Sequence, residues 1–187
     1  MILVFFGMTA SGKSTLAAAC AARWHAPRYN TDQMRKELAG LAPGTRRPDG
    51  IEQGIYTRDM SARTYQALLG QAEADIRAGA PLVLLDGSYS QLAERDRLRQ
   101  AAARLACPAL FVYCHCSRAE TMRRLALRGA DRDAVSDGRP EIYRYQQKTF
   151  DLPGAEEPGV IRLDTEDRPE ALVARLESSR LIPLPAA

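Results

Sequence analysis

The chain has 187 residues, 45% hydrophobic and 26% charged, with a net charge of +3 and a pI near 8.8. Length and composition are those of one soluble globular domain with a full core, and no apolar run approaches membrane-spanning length. The mild positive charge by itself neither indicates nor excludes a nucleic-acid partner.

The first element is a short apolar run, Ile2 to Phe6, which reads as a buried strand. It leads into Gly7-Met8-Thr9-Ala10-Ser11-Gly12-Lys13-Ser14-Thr15, which has the spacing G-x-x-x-x-G-K-S. A helix follows, from Lys13 to about Trp24. Gly7 and Gly12 permit a tight turn in which successive N–H groups point inward at phosphate oxygens, and the helix directs its positive end at the same point. The backbone of Thr9, Ala10, Ser11 and Thr15 would complete the cradle. Lys13 is placed to reach β- and γ-phosphates, and the Ser14 hydroxyl to ligate Mg²⁺. Strand, glycine loop and helix agree on a bound nucleoside triphosphate, ATP, with Mg²⁺. No Asn-Lys-x-Asp guanine signature is present.

A second strand is expected near Pro27 to Tyr29, then a short helix from Asp32 to about Leu38, capped by Asn30 or Thr31. Gly40 to Gly50 reads as a loop with Arg46 and Arg47 at its tip. A long helix is expected over roughly Ile55 to Ala78, with the apolar stripe Tyr65, Leu68, Leu69, Ala72 and Ile76. The run Leu82 to Leu85 reads as a strand that ends in Asp86. Further helices are expected at about Leu92 to Leu105, Arg118 to about Arg128 and Pro140 to about Phe150, and strands at Ala109 to Cys116 and Val160 to Leu163. A last helix covers Pro169 to Ser178. The domain is expected to span residues 1–180, with 181–187 as a loose tail. Continuous apolar strands alternating with helices imply an α/β fold, a parallel sheet covered on both faces. Ligands of such sheets lie at the carboxyl ends of the strands. The cysteines Cys20, Cys107, Cys114 and Cys116 suit reduced thiols, and the strand-like N-terminus does not read as a secretory leader. A cytoplasmic location without a membrane partner is the expectation.

Asp86, at a strand end beside the loop, fits a second metal-organising carboxylate. Asp32 and Arg35 share a helix face. Phosphoryl transfer to an alcohol needs a carboxylate to take the hydroxyl proton, and a nearby guanidinium suits a polar or anionic part of the acceptor. The same pair also suits a dipole-favouring carboxylate with a surface ion pair. Tyr56, Arg58, Arg63 and Tyr89 are candidates for lining an acceptor pocket, whereas Tyr65 is expected in the core. The stretch Arg118 to Arg144 carries Arg118, Arg123, Arg124, Arg128, Arg132, Arg139 and Arg144. If the helix continues, Arg124, Arg128 and Arg132 line one face.

With these motifs the chain resembles the small phosphate-loop kinases: 5′-hydroxyl polynucleotide kinases, gluconate kinases and zeta-toxin-like kinases. The closest likeness is to predicted kinases described as AAA-domain ATP-binding proteins. The resemblance runs from Met1 to about Glu177. It implies a three-layer α/β/α sandwich of the P-loop NTPase class, with a five-stranded sheet of the nucleoside-monophosphate-kinase type and a helical lid at about 118–150. It further implies Asp32 as base, Arg35 as acceptor clamp, lid arginines at the phosphates, with Arg124 and Arg128 as candidates and Arg128 preferred at the transferring phosphoryl group, and Asp164-Thr165 near the adenine. No sensor or arginine-finger signature of ring-forming AAA ATPases is found. A kinase for a hydroxyl-bearing small molecule is therefore the expectation. A polynucleotide 5′-kinase with Arg35, Arg46 and Arg47 on phosphates, and an ATP-binding switch with slow hydrolysis, are the alternatives.

Overall fold

The computed structural model describes residues 1–42, 45, 50, 52–130, 139–179 and 182. Five parallel strands form one sheet: β1 (Ile2–Phe6), β2 (Arg28–Asn30), β3 (Val83–Asp86), β4 (Ala109–His115) and β5 (Val160–Asp164), in the order β2-β3-β1-β4-β5. Seven α-helices are described: α1 (Lys13–Trp24), α2 (Thr31–Leu38), α3 (Arg58–Arg77), α4 (Leu92–Arg104), α5 (Arg118–Ala130), α6 (Pro140–Thr149) and α7 (Pro169–Ser178).

β1 is apolar throughout because it lies at the centre, covered on both faces. Leu3 and Phe5 point into one core with Leu16, Ala17 and Cys20 of α1 and Leu172, Val173 and Leu176 of α7. Ile2, Val4 and Phe6 point into the other, with Leu68 and Ala72 of α3 and Leu98 and Ala102 of α4. The result is a three-layer α/β/α sandwich. The chain leaves β1 toward β2 on one side, and β4 pairs on the other. Such a reversal opens a crevice at the carboxyl edge, and a site at that crevice inherits its geometry from several strands.

Two expectations need adjusting. β2 runs one residue later, to Asn30, because it takes its register from β3, where Asn30 stands opposite Asp86. The helix expected from Ile55 breaks into a 3₁₀ turn, Gly54–Tyr56, followed by α3. The Thr57 hydroxyl accepts the Met60 N–H at 3.3 Å and so restarts the helix. α6, the second helix of the expected lid, is anchored to the body at its end. Phe150 stacks on Phe6 with ring centroids 6.5 Å apart. The Asp151 N–H donates to the Ser90 carbonyl at 2.8 Å, and the Asp151 carboxylate accepts the Leu92 N–H at 2.9 Å.

Candidate active site

The loop between β1 and α1 forms a backbone cup. Gly12 caps α1 in a left-handed conformation (φ 83°) and no side chain caps the helix, so the first-turn N–H groups remain for a ligand. A Cβ at Gly12 would lie 2.9 Å from both Arg124 Nη1 and Thr165 Oγ1, and one at Gly7 would collide with the Cys114 carbonyl. The loop therefore fits its surroundings only as glycine at both positions. Ala10 adopts a positive φ of 59°, a conformation of the kind that collects at ligand clamps. Ser11 Oγ is buried with no hydrogen-bond partner among the described residues. Lys13 Nζ donates to the Met8 carbonyl at 3.3 Å. Burial lowers the Lys13 pKa; Asp86 counteracts, Arg128 lowers it further and Asp32 counteracts again. An orphaned hydroxyl, a helix start without a cap and an under-compensated ammonium together fit an anionic polyphosphate.

Asp86 ends β3 and is fully buried. Its Oδ1 accepts Ser14 Oγ–H at 3.0 Å, and its Oδ2 accepts Asn30 Nδ2 at 2.6 Å and Arg28 Nη1 at 3.2 Å. Two side chains from β2 thus fix one carboxylate oxygen and turn the other toward Ser14. A hydroxyl and a carboxylate oxygen side by side form an oxygen-only donor set suited to Mg²⁺, which prefers one or two protein oxygens with waters and phosphates.

Asn30 also builds the next part of the site. Its side-chain oxygen accepts the N–H groups of Asp32 (2.9 Å) and Gln33 (3.1 Å), capping α2 and setting the position of Asp32. Thr9, Lys13, Ser14, Thr15, Arg28, Asn30, Asp32, Arg35 and Gln146 are among the residues that line one cleft of about 400 Å³. Arg35 Nη1 lies 3.4 Å from Asp32 Oδ1, and its guanidinium sits 4.9 Å over the Tyr56 ring. Arg35 Nε is buried and has no hydrogen-bond partner among the described residues. A second chamber of about 650 Å³ continues outward past Arg35, Tyr56, Ser88, Ile142 and Gln146, which line both.

On the far side of the cup, Arg124 and Arg128 come off α5. Arg124 donates to the Thr165 carbonyl at 2.6 Å, to Thr165 Oγ1 at 3.2 Å and to the Ala10 carbonyl at 3.4 Å. Glu120 braces it at 2.7 Å. Burial lowers the Arg128 pKa and Arg124 lowers it further, while Asp32 and Asp86 offset part of this. Arg128 thus stands within electrostatic reach of both carboxylates and of Lys13. Both arginines, with Gly12, Thr15, Leu127, Thr165 and Pro169, line a pocket of about 270 Å³.

Of the residues singled out in the sequence, Gly7, Thr9, Ala10, Ser11, Gly12, Lys13, Ser14, Thr15, Asp32, Arg35, Asp86, Arg124 and Arg128 gather around this cup, but the Thr9 N–H, expected to face phosphate, is taken by Gln146 Oε1 at 2.7 Å. Tyr89 does not join them. It is 2% exposed, packs in the core with Leu98 and Phe111, and its ring lies 4.7 Å from that of Tyr65. Its left-handed φ of 42° turns the side chain inward, and this turn is invisible in a local pattern. Tyr65 packs against the core as expected and also lines the outer chamber, where its hydroxyl meets Ser88 Oγ and the Tyr89 N–H, both at 3.0 Å. Tyr56 and Arg58 line that chamber too, whereas Arg63 is exposed and away from it. Arg123 pairs with Glu120 on the surface, Arg144 stands near Glu141, and Arg118 is exposed. Arg46, Arg47 and Arg132 lie outside the described residues. Arg28, Asn30 and Gln146 were missed. Asn30 entered only as a cap, and no spacing in the chain marks Arg28 or Gln146.

The AAA domain family matches residues 2–153. An uncharacterized protein of Mycobacterium tuberculosis strain H37Rv is 29% identical over 136 residues, covering 70% of this chain and 26% of its own length. This chain thus spans about a quarter of the curated relatives it matches. A sugar kinase from Janibacter sp. HTCC2649 superposes with a TM-score of 0.68 at 19% identity, over 97% of this chain and 95% of its own. A gluconokinase from Sinorhizobium meliloti 1021 gives 0.64 at 20% identity, over 96% and 94%. The Mycobacterium tuberculosis APS kinase, solved with AMPPNP and APS, gives 0.66 at 17% identity, over 95% of each chain. Sheet order, phosphate cup and family match agree, and the chain belongs to the AAA domain family with the fold of the small phosphate-loop kinases.

Proposed function

We propose that the protein is an ATP- and Mg²⁺-dependent kinase that transfers the γ-phosphoryl group to a hydroxyl of a small-molecule acceptor. The observation that carries this reading is the convergence of Lys13, Ser14 and Asp32 on one cleft, with Arg128 electrostatically coupled to Lys13 and Asp32 from the other side. A hydrolase or switch needs the cup, but it has no need of a carboxylate at the acceptor side.

In this reading the cup and Lys13 hold the triphosphate, and the adenine lies in the pocket between Arg124 and Thr165. Ser14 and Asp86 would hold Mg²⁺, which neutralises phosphate charge when bound. Asp32 accepts the proton of the acceptor hydroxyl while that oxygen bonds to the γ-phosphorus. The bond from phosphorus to the β,γ-bridging oxygen breaks, and ADP leaves. Arg35, with its unpartnered Nε, orients the acceptor. Arg128 offsets charge on the phosphoryl oxygens, a role worth on the order of 10³-fold or more where it has been isolated.

The test is a screen with γ-labelled ATP against sugars, sugar acids, aminoglycosides and 5′-hydroxyl oligonucleotides. Label should move to a hydroxyl compound. Asp32→Asn should cut transfer by about 10²- to 10⁴-fold with nucleotide binding largely kept. Full transfer by Asp32→Asn would show that another group takes the proton. Transfer confined to oligonucleotides would replace the small-molecule acceptor with a nucleic-acid end. ATP binding with slow phosphate release and no labelled acceptor would favour the switch reading.

A further inference from the structure

α6 places Ile142, Tyr145, Gln146 and Thr149 along the cleft, at the three- and four-residue spacing of one helical face. Ile142 and Gln146 line both chambers. Gln146 does more than line them, because its Oε1 accepts the Thr9 N–H of the phosphate cup at 2.7 Å. The donor there is an N–H, so the oxygen end of the carboxamide must face it. The Nε2 hydrogens are then left for the cleft that the same side chain lines.

The helix that delivers Gln146 is held from behind. The Thr149 carbonyl accepts Gln91 Nε2 at 3.1 Å, and the Asp151 carbonyl accepts Arg95 Nη2 at 3.0 Å. With the Phe6 stack and the two Asp151 bonds already described, these contacts fix the end of α6 to the loop that follows Asp86. Gln146 is thus a fixed feature of the cup. It lines the same cleft as Lys13, whose ammonium is suited to β- and γ-phosphates.

We propose that Gln146 is a contact for the transferring phosphoryl group: Oε1 holds the Thr9 amide at the rim of the cup while Nε2 donates to a terminal-phosphate oxygen facing the acceptor. The contact discriminates a triphosphate from a diphosphate and helps set the in-line direction toward Asp32. It rests on the kinase reading, but its test needs no acceptor.

The experiment measures AMPPNP and ADP affinities, each with Mg²⁺, for the wild type, Gln146→Met and Gln146→Glu, together with the melting temperature of each protein. Met is close in volume and has no amide. Glu keeps an oxygen for Thr9 and turns a negative charge toward the third phosphate. Gln146→Met should weaken AMPPNP by about tenfold while ADP changes little, because a hydrogen bond to a charged group is lost. Gln146→Glu should weaken AMPPNP more than Gln146→Met does, again with ADP spared, because like charges then face each other across the cleft. Equal losses for the two nucleotides, or none, would overturn the proposal and leave the kinase reading standing. If Gln146→Glu fails to fold, Gln146→Met alone decides. A wild type that binds neither nucleotide would overturn the kinase reading, and this proposal with it.

Discussion

Asn30 joins two tasks that a mutation can separate. Its oxygen caps α2 and its amide nitrogen holds Asp86 Oδ2 at 2.6 Å. Loss of a cap costs about 1 kcal/mol, and a buried acceptor left short of a donor about 1–3 kcal/mol. Asn30→Ala should therefore lower stability by about 2–4 kcal/mol in urea unfolding. Asn30→Asp keeps a good cap but sets a second carboxylate against the fully buried Asp86. It should also be destabilised at neutral pH, and an Asn30→Asp protein as stable as the wild type would show that the Asp86 contact carries no weight. At the same scale Arg28 gains its meaning. The ion pair at 3.2 Å anchors the carboxylate proposed to face Mg²⁺.

At the scale of elements, the joint between α4 and the segment after α6 is made of charge. Arg95 is fully buried and binds Glu157 through two nitrogens at 2.7 and 2.9 Å; Arg99 binds the same carboxylate at 2.6 Å. The two guanidinium groups also lie over Phe6 at 5.1 Å and Phe111 at 4.4 Å. Burial pushes the Glu157 pKa up, but its bonds to Arg95 and Arg99 outweigh that and leave it below the ordinary carboxylate value of 4.5. A carboxyl whose pKa is depressed by folding stabilises the fold above its unfolded pKa, and that contribution is lost as pH falls through the folded value. Glu157→Gln should cost about 3 kcal/mol or more at pH 7, because it leaves the buried Arg95 guanidinium without its carboxylate, while Arg99 keeps Asp96 at 2.7 Å. The difference from wild type should shrink as pH falls below about 4.5. Thermal melts across pH 7 to 3 check this, and parallel curves for the two proteins would contradict it. Because Arg95 also holds the Tyr89 and Asp151 carbonyls, the joint sets where α6, and with it Gln146, meets the cup.

On the scale of the whole molecule, the cup gathers positive charge that Asp86 and Asp32 offset only in part. Burial and Arg128 both depress the Lys13 pKa, so the ammonium costs stability at neutral pH until an anion arrives. A nucleotide that binds only the folded chain should stabilise it by about 2.7 kcal/mol at a hundredfold excess over Kd. For a domain of this size that corresponds to a rise in melting temperature of about 5–10 °C. ADP with Mg²⁺ should produce that rise. Lys13→Ala should abolish it along with ATP turnover, and should melt no lower than the wild type without ligand. A Lys13→Ala protein that keeps the shift and the turnover would refute the assignment of the cup.

Much of this was legible in the chain because it is local. G-x-x-x-x-G-K-S, the apolar run before it and the helix after it are contiguous, so the residues that make the cup also announce it. Asp32 and Arg35 share a face by helical period alone, and Asp86 ends a strand whose apolar run is plain. The alternation of strands and helices fixed the parallel sheet for the same reason. What the tertiary structure alone decided was which distant groups meet. Arg28 reaches Asp86 only through the β2–β3 register, Gln146 reaches Thr9 across 137 residues, and Tyr89 turns into the core at a left-handed backbone position. Hydrophobic period and turn chemistry act over a few residues and can be read from the sequence. Register, an ion triad and a contact between a helix and a distant loop depend on how whole elements pack, and no neighbouring residue encodes them.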